Sequence, residues 1–221
     1  MEFLKQLPEF PELPEAHHKP IEIPTQEEVR AMLMVAKPHL QRVILIAANS
    51  GIRVGPSKLF DVRWEDIDLK RCVFRVRAAN KNRNEPVREI PIREDMRGLF
   101  KAWKEEDFAA NLPWLIHYNG KPVSSIKTTW ETCKHNAGIT RKITPYCLRH
   151  LFATEAIACG SDIGTVSKLM GYSSPEMVLK HYQHVLTRQK KAAVESLPST
   201  PLPSVLYGRV CMDKKNGSAS C

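Results

Sequence analysis

The chain has 221 residues, and 33 Lys and Arg against 24 Asp and Glu give it a formal charge of +9. A chain this long buries roughly 70% of its unfolded surface without needing disulfide or metal staples, and 43% hydrophobic with 26% charged residues excludes wholesale disorder. Its longest apolar run, from Val43 to Ala48, is far short of the ~20 residues of a membrane span, and the first residues lack a secretory signal pattern; the basic surplus points to a polyanionic partner, either nucleic acid or an anionic membrane surface.

Residues 1–24 carry Pro8, Pro11, Pro14, Pro20 and Pro24 with no helical or strand period, which reads as a linker. Thr25 followed by Glu28 is a capping box, and Val29, Met32, Leu33 and Ala36 repeat at helical spacing behind it. A helix from about His39 to Ser50 is apolar on most sides and therefore central, with Gly51 as its stop. Pro56 suits the first turn of a short helix through Leu59 and Val62. Cys72–Arg77 and Val87–Ile92 alternate as strands of a hairpin whose turn is Asn80–Asn84, and Pro91 makes the second strand an edge. Helices are expected at about 94–106, 124–137, 145–159, 162–170, 175–183 and 187–196, and the Pro- and Ser-rich stretch from Pro198 onward reads as a loose tail.

Cys72, Cys133, Cys147, Cys159, Cys211 and Cys221 form no C-x-x-C pair and no Cys/His zinc spacing. They read as reduced thiols of a cytosolic protein, most of them buried, with no structural metal.

Three stretches place cations and hydroxyls where chemistry could use them. Ser50-Gly51-Ile52-Arg53 sets an arginine just past the most apolar helix, where partial burial is expected, although the segment taken alone reads as a surface arginine on a loop. Thr144-Pro145-Tyr146-Cys147-Leu148-Arg149-His150 opens a helix with Thr144 as N-cap and Pro145 at the first position. Tyr146, Arg149 and His150 then lie within one turn of its positive end, which suits an anion as well as a solvated face. Leu169-Met170-Gly171-Tyr172-Ser173-Ser174-Pro175 ends one helix and starts another, on which Met177, Val178, His181 and Tyr182 share neighbouring faces.

In combination and in this order, these segments resemble the catalytic domain of the tyrosine recombinase, or phage integrase, family. The resemblance covers about residues 24–197 and includes Arg63-Trp64-Glu65-Asp66-Ile67-Asp68, Lys81 before the strand Val87–Ile92, and His181-Tyr182. It implies a mainly α fold with a small antiparallel β-sheet (α+β), the DNA breaking–rejoining fold. The implied division is a linker over 1–24 from a missing N-terminal DNA-binding domain, a catalytic domain over 25–197 and a flexible tail over 198–221.

The implied activity is site-specific DNA strand cleavage and rejoining through a 3′-phosphotyrosine, in the service of DNA integration and recombination of a prophage or mobile element. On that resemblance Tyr182 is the nucleophile, Arg53 and Arg149 clamp the phosphate, Lys81 protonates the leaving 5′-oxygen and His150 braces the site. The phosphodiester energy is kept in the covalent link, so no metal or ATP cofactor is implied. The implied partners are double-stranded DNA and, on paired sites, a tetramer of protomers docked through 187–197. This chain alone is expected to be monomeric without DNA, in a bacterial cytoplasm or nucleoid.

Departures from the family pattern define the alternative. Tyr146 stands where His or Lys is usual and Tyr172 where His or Trp is usual, so both can donate a hydrogen bond but neither is cationic. The segment after Arg53 is about two residues longer than usual, and Lys58 replaces the acid that supports this arginine, leaving Asp61 or Asp66 as substitutes. A recombinase-fold DNA-binding module with little catalysis is the second reading.

Overall fold

The computed structural model describes residues 22–76 and 87–182. The linker over 1–21, the hairpin turn with Lys81, the helix at 187–196, the tail, Cys211 and Cys221 lie outside the described residues.

Helix α1 (Gln26–Val35) starts at the expected capping box: the Thr25 hydroxyl accepts from the Glu28 amide, and the Glu28 carboxylate accepts from the Thr25 amide. Helix α2 (Pro38–Ser50) buries residues on most of its circumference and ends at Gly51, whose φ of 63° is the left-handed stop that glycine adopts without a steric penalty. Arg42 of α2 is buried and carries a charge into the core. It is accommodated because Asp107, on α3 (Arg97–Ala109), accepts two of its N–H groups at 2.6 and 3.0 Å. Asp107 also meets Trp64 Nε1 at 2.9 Å and His117 Nε2 at 2.8 Å, which saturates the carboxylate and ties α2, α3 and the loop chain together.

A three-stranded antiparallel sheet flanks this helical core in the order β1 (Ile67–Asp68), β2 (Val73–Val76) and β3 (Arg88–Pro91). Phe74 faces Ile90 across the β2–β3 ladder, and both are buried, while β3 is the edge that Pro91 requires. A second hairpin joins β4 (His117–Tyr118) to β5 (Lys121–Pro122) through Asn119 and Gly120, both at positive φ. That Asn-Gly pair is the strongest short hairpin signal in the sequence, yet the flanking segments are too short to show alternation.

Several boundaries differ from the sequence expectation. The short helix after Pro56 is a single 3-10 turn over Leu59–Asp61, and the helix expected at 94–106 begins with a 3-10 turn over Glu94–Met96 before α3. Thr144 is not the side-chain cap of its helix. Its carbonyl accepts from the Cys147 amide at 2.9 Å while its hydroxyl turns to Cys147 Sγ, and α5 (Cys147–Ala158) starts two residues later than expected, behind Tyr146. Of the described cysteines, Cys133 and Cys147 are buried, Cys72 is half-buried and Cys159 is exposed, so burial is less general than expected.

Two apolar clusters result. The larger runs through α1, α2, the sheet, α4 (Lys127–Asn136) and the first turns of α5. The smaller joins Ala153 and Ile157 of α5, Val166 and Met170 of α6 (Ile163–Met170), and Val178 and Tyr182 of the helical segment 176–182. Helix α5 therefore belongs to both, and Arg149 and His150 sit where the two cores meet. No described helix is long and apolar enough to cross a membrane.

Candidate active site

The site is assembled on the first turns of α5. Packing of α5 against α2 brings Arg149 under the end of α2, where Nη1 donates to the Gly51 carbonyl at 2.5 Å. That carbonyl is available because Gly51 leaves the helix in the left-handed conformation, and a Cβ there would collide with the Phe152 ring. Arg149 is 2% exposed, its guanidinium lies 4.7 Å from the centroid of the Tyr172 ring, and its Nε has no hydrogen-bond partner.

His150, the next residue, is also buried. Its Nδ1 lies 2.6 Å from the Tyr182 hydroxyl, and its Nε2 is buried without a partner. Burial, helped by the nearby His181 and Arg149, lowers its pKa to about 4, so the ring is neutral at physiological pH. With the phenol assigned as donor, Nδ1 accepts and the ring proton sits on Nε2.

Tyr182 is 2% exposed because it shares a helix face with Val178 and drops into the smaller cluster, while Met177 and His181 face outward. Burial pushes its phenol pKa up, the Tyr172 and Tyr146 hydroxyls push it further, and the Arg149 charge opposes them. Tyr146 packs edge-on against His150 with ring centroids 4.8 Å apart and is 39% exposed. Its own phenol pKa is raised by burial and by the neighbouring Tyr172, against the charges of Arg149 and Arg53.

Arg53 lies near enough for its charge to act weakly on Tyr146, and it is exposed rather than partly buried as expected. The left-handed turn at Gly51 explains the difference: it directs Ile52, which is fully buried, into the core and leaves the next side chain outside. Among the described residues Arg53 makes no side-chain ion pair, and Asp66, one of the suggested supports, accepts from the Arg63 amide at 3.1 Å as a turn cap.

Sequence reasoning assigned no role to Arg88. Its side chain crosses from β3 to α6 and lies directly on Gly171, where φ is 72° and where any Cβ would collide with Arg88 Nη1. The signal was present: Arg88 shares the inward strand face with Ile90 and Ile92, both buried, an unusual place for a cation.

Arg53, Tyr146, Arg149, His150, Tyr172 and Tyr182 thus gather with Arg88 on one basic seam, and among the described residues no carboxylate forms an ion pair with its three arginines. Lys81 lies outside the described residues, so nothing places it here. Among the described residues no group of three or more His, Cys, Asp or Glu is arranged to hold a metal ion. Guanidinium and imidazole N–H groups that are buried without partners are donors awaiting an acceptor, and the surrounding charge specifies an anionic one.

Residues 23–189 match the family model described as the phage integrase family. The chain is 32% identical over 158 residues to tyrosine recombinase XerA of Thermococcus onnurineus (strain NA1), an alignment covering 68% of this chain and 54% of the relative. It is 30% identical over 179 residues to XerA of Pyrococcus furiosus, covering 77% and 60%. The chain therefore spans a little over half the length of these curated relatives. Among solved structures, the crystal structure of XerA recombinase matches with a TM-score of 0.65 at 19% identity, over 82% of this chain and 67% of the other. The Tn1549 transposon integrase in complex with transposon right-end DNA matches with a TM-score of 0.64 at 21% identity, over 84% and 69%. At such identities the likeness is one of fold, and it agrees with the mainly helical, small-sheet architecture. The chain belongs to the phage integrase family, and its fold is that of a tyrosine recombinase catalytic domain.

Proposed function

We propose that this chain is the catalytic domain of a site-specific DNA recombinase, an enzyme that breaks and rejoins DNA strands through a covalent tyrosine intermediate. The observation that carries the reading is the 2.6 Å contact between the Tyr182 hydroxyl and a neutral His150, beside the buried Arg149.

In the proposed step Tyr182 Oη attacks the scissile phosphorus and the bond to the 5′-oxygen breaks, leaving a 3′-phosphotyrosine and a 5′-hydroxyl. The phosphorane gathers charge on its non-bridging oxygens, and the fixed forks of Arg149 and Arg53 are suited to hold them. His150 accepts the phenol proton. Its low basicity rises when a phosphate monoanion binds beside it, because a nearby negative charge favours the imidazolium. Lys81 donates a proton to the departing 5′-oxygen, since an alkoxide is a poor leaving group. Tyr146 and Tyr172 donate hydrogen bonds without adding charge. The reverse reaction with another 5′-hydroxyl rejoins the strands.

On this reading the substrate is double-stranded DNA, the working assembly is a tetramer of protomers on paired sites, and the biological role is integration or recombination of a prophage or mobile element within the cytoplasm or nucleoid. The proposed domain division keeps catalysis within 25–197, with residues 1–24 linking to a further DNA-binding domain.

The test is capture of covalent adducts on a denaturing gel from nicked duplexes of randomised sequence. Wild type is expected to yield adducts and Tyr182→Phe none, with DNA binding retained. The burial of Tyr182 joins the departures at Tyr146, Tyr172 and Lys58 in favouring a binding-only module; DNA binding by wild type with no adduct from any duplex would establish that reading instead.

A further inference from the structure

Arg88 is a half-buried guanidinium on an edge strand, and the protein around it supplies no counter-charge among the described residues. Its Nε is buried with no partner, and among the described residues it has no hydrogen bond or ion pair. Its neighbour in charge is a second cation, Arg149, and burial together with that neighbour lowers its pKa to about 10. A structural arginine in a protein interior is normally matched, as Arg42 is by Asp107; removing water from an unmatched one costs stability.

The backbone nevertheless makes room for it. Gly171 ends α6 in the left-handed conformation with the Arg88 guanidinium occupying the space a side chain would take. The residue on the far side of that turn is Tyr172, whose ring faces Arg149. Arg88 and Arg149 therefore flank the turn from two directions, each with an orphaned Nε.

Resting on the strand-transfer reading, we infer that Arg88 is a further catalytic residue: with Arg149 it grips the phosphate undergoing transfer, supplying positive charge that the neutral Tyr146 and Tyr172 do not. An anion between the two guanidiniums turns their repulsion into a shared attraction and satisfies donors the protein leaves open. It forms no bond in the reaction and moves no proton; its work is to hold the charge that builds on the phosphorane oxygens.

The experiment uses Arg88→Met, which keeps most of the apolar stem, and Arg88→Lys, which keeps charge without the fork. Two independent readouts are taken. The first is the thermal shift given by orthovanadate in the absence of DNA, a probe of the phosphate seat that requires no catalysis. The second is the single-turnover rate of adduct formation on a duplex captured by wild type, with the scissile phosphate either native or replaced by a methylphosphonate that carries no charge.

Arg88→Met is expected to melt at or above the wild-type temperature, to lose most of the vanadate shift, and to form adducts on the order of 10²-fold more slowly. Its deficit narrows on the methylphosphonate, and Arg88→Lys falls between the two. A vanadate shift equal to wild type overturns the proposal. So does a melting temperature that falls in step with activity, with the same deficit on both phosphates, because that pattern belongs to a packing residue. If wild type makes no adduct, the strand-transfer reading fails, and the vanadate comparison still decides whether Arg88 belongs to an anion seat.

Discussion

Acidification should destabilise this protein through His150 specifically. The imidazole is 3% exposed and its pKa falls from 6.5 to about 4 on folding, so the unfolded chain binds the proton more readily than the folded one. Stability from this group is complete above about pH 6.5 and is lost as pH falls towards 4. At 1.36 kcal/mol per pH unit, the loss between about pH 7.5 and about pH 4.5 comes to about 2.5 kcal/mol. Groups facing the ring act in one direction: Arg149 and His181 oppose its protonation, and no carboxylate is among the causes of its shift. Urea unfolding of wild type and His150→Asn across this range isolates the effect, because surface carboxylates such as Glu28 titrate alike in both. The difference between the two proteins should shrink by about 2.5 kcal/mol on acidification. Parallel pH profiles would refute the assignment of a neutral, desolvated His150.

Asp107→Ala should cost about 3–5 kcal/mol in chemical denaturation, because it removes the one buried carboxylate partner of Arg42 and the acceptor of Trp64 Nε1, leaving Arg42 with the exposed Glu106 and the Leu115 carbonyl; a loss under about 1 kcal/mol would contradict the network. Gly51→Ala should cost about 2 kcal/mol or more, from a left-handed φ of 63° and a Cβ aimed at Phe152. It should also slow adduct formation by displacing the carbonyl that holds Arg149, and unchanged kinetics would show that this contact does not position the guanidinium.

Much of the scaffold is legible because its signals are local. Thr25 and Glu28 lie one turn apart, Gly51 and Gly171 end helices by their own backbone freedom, and Phe74 and Ile90 announce the sheet face by alternation. The convergence of Arg53, Tyr146, Arg149, His150, Tyr172 and Tyr182 was legible only through order along the chain, since no local property of these residues says that they meet. What escaped depended on direction. A turn at Gly51 rotates Arg53 to the surface, a carbonyl rather than a hydroxyl of Thr144 starts the α5 turn, and an inward-facing Arg88 finds its place only once α6 lies over the strand. The β4–β5 hairpin carried its Asn-Gly signal in plain view, but its strands are two residues long and show no period.

The central claim is that the phenol of Tyr182, hydrogen-bonded to His150, becomes covalently joined to DNA. Mass-spectrometric mapping of the nucleotide-bearing peptide from a trapped adduct tests it directly. The account predicts the phosphodiester on Tyr182 alone; a modification on Tyr146 or Tyr172 would contradict it.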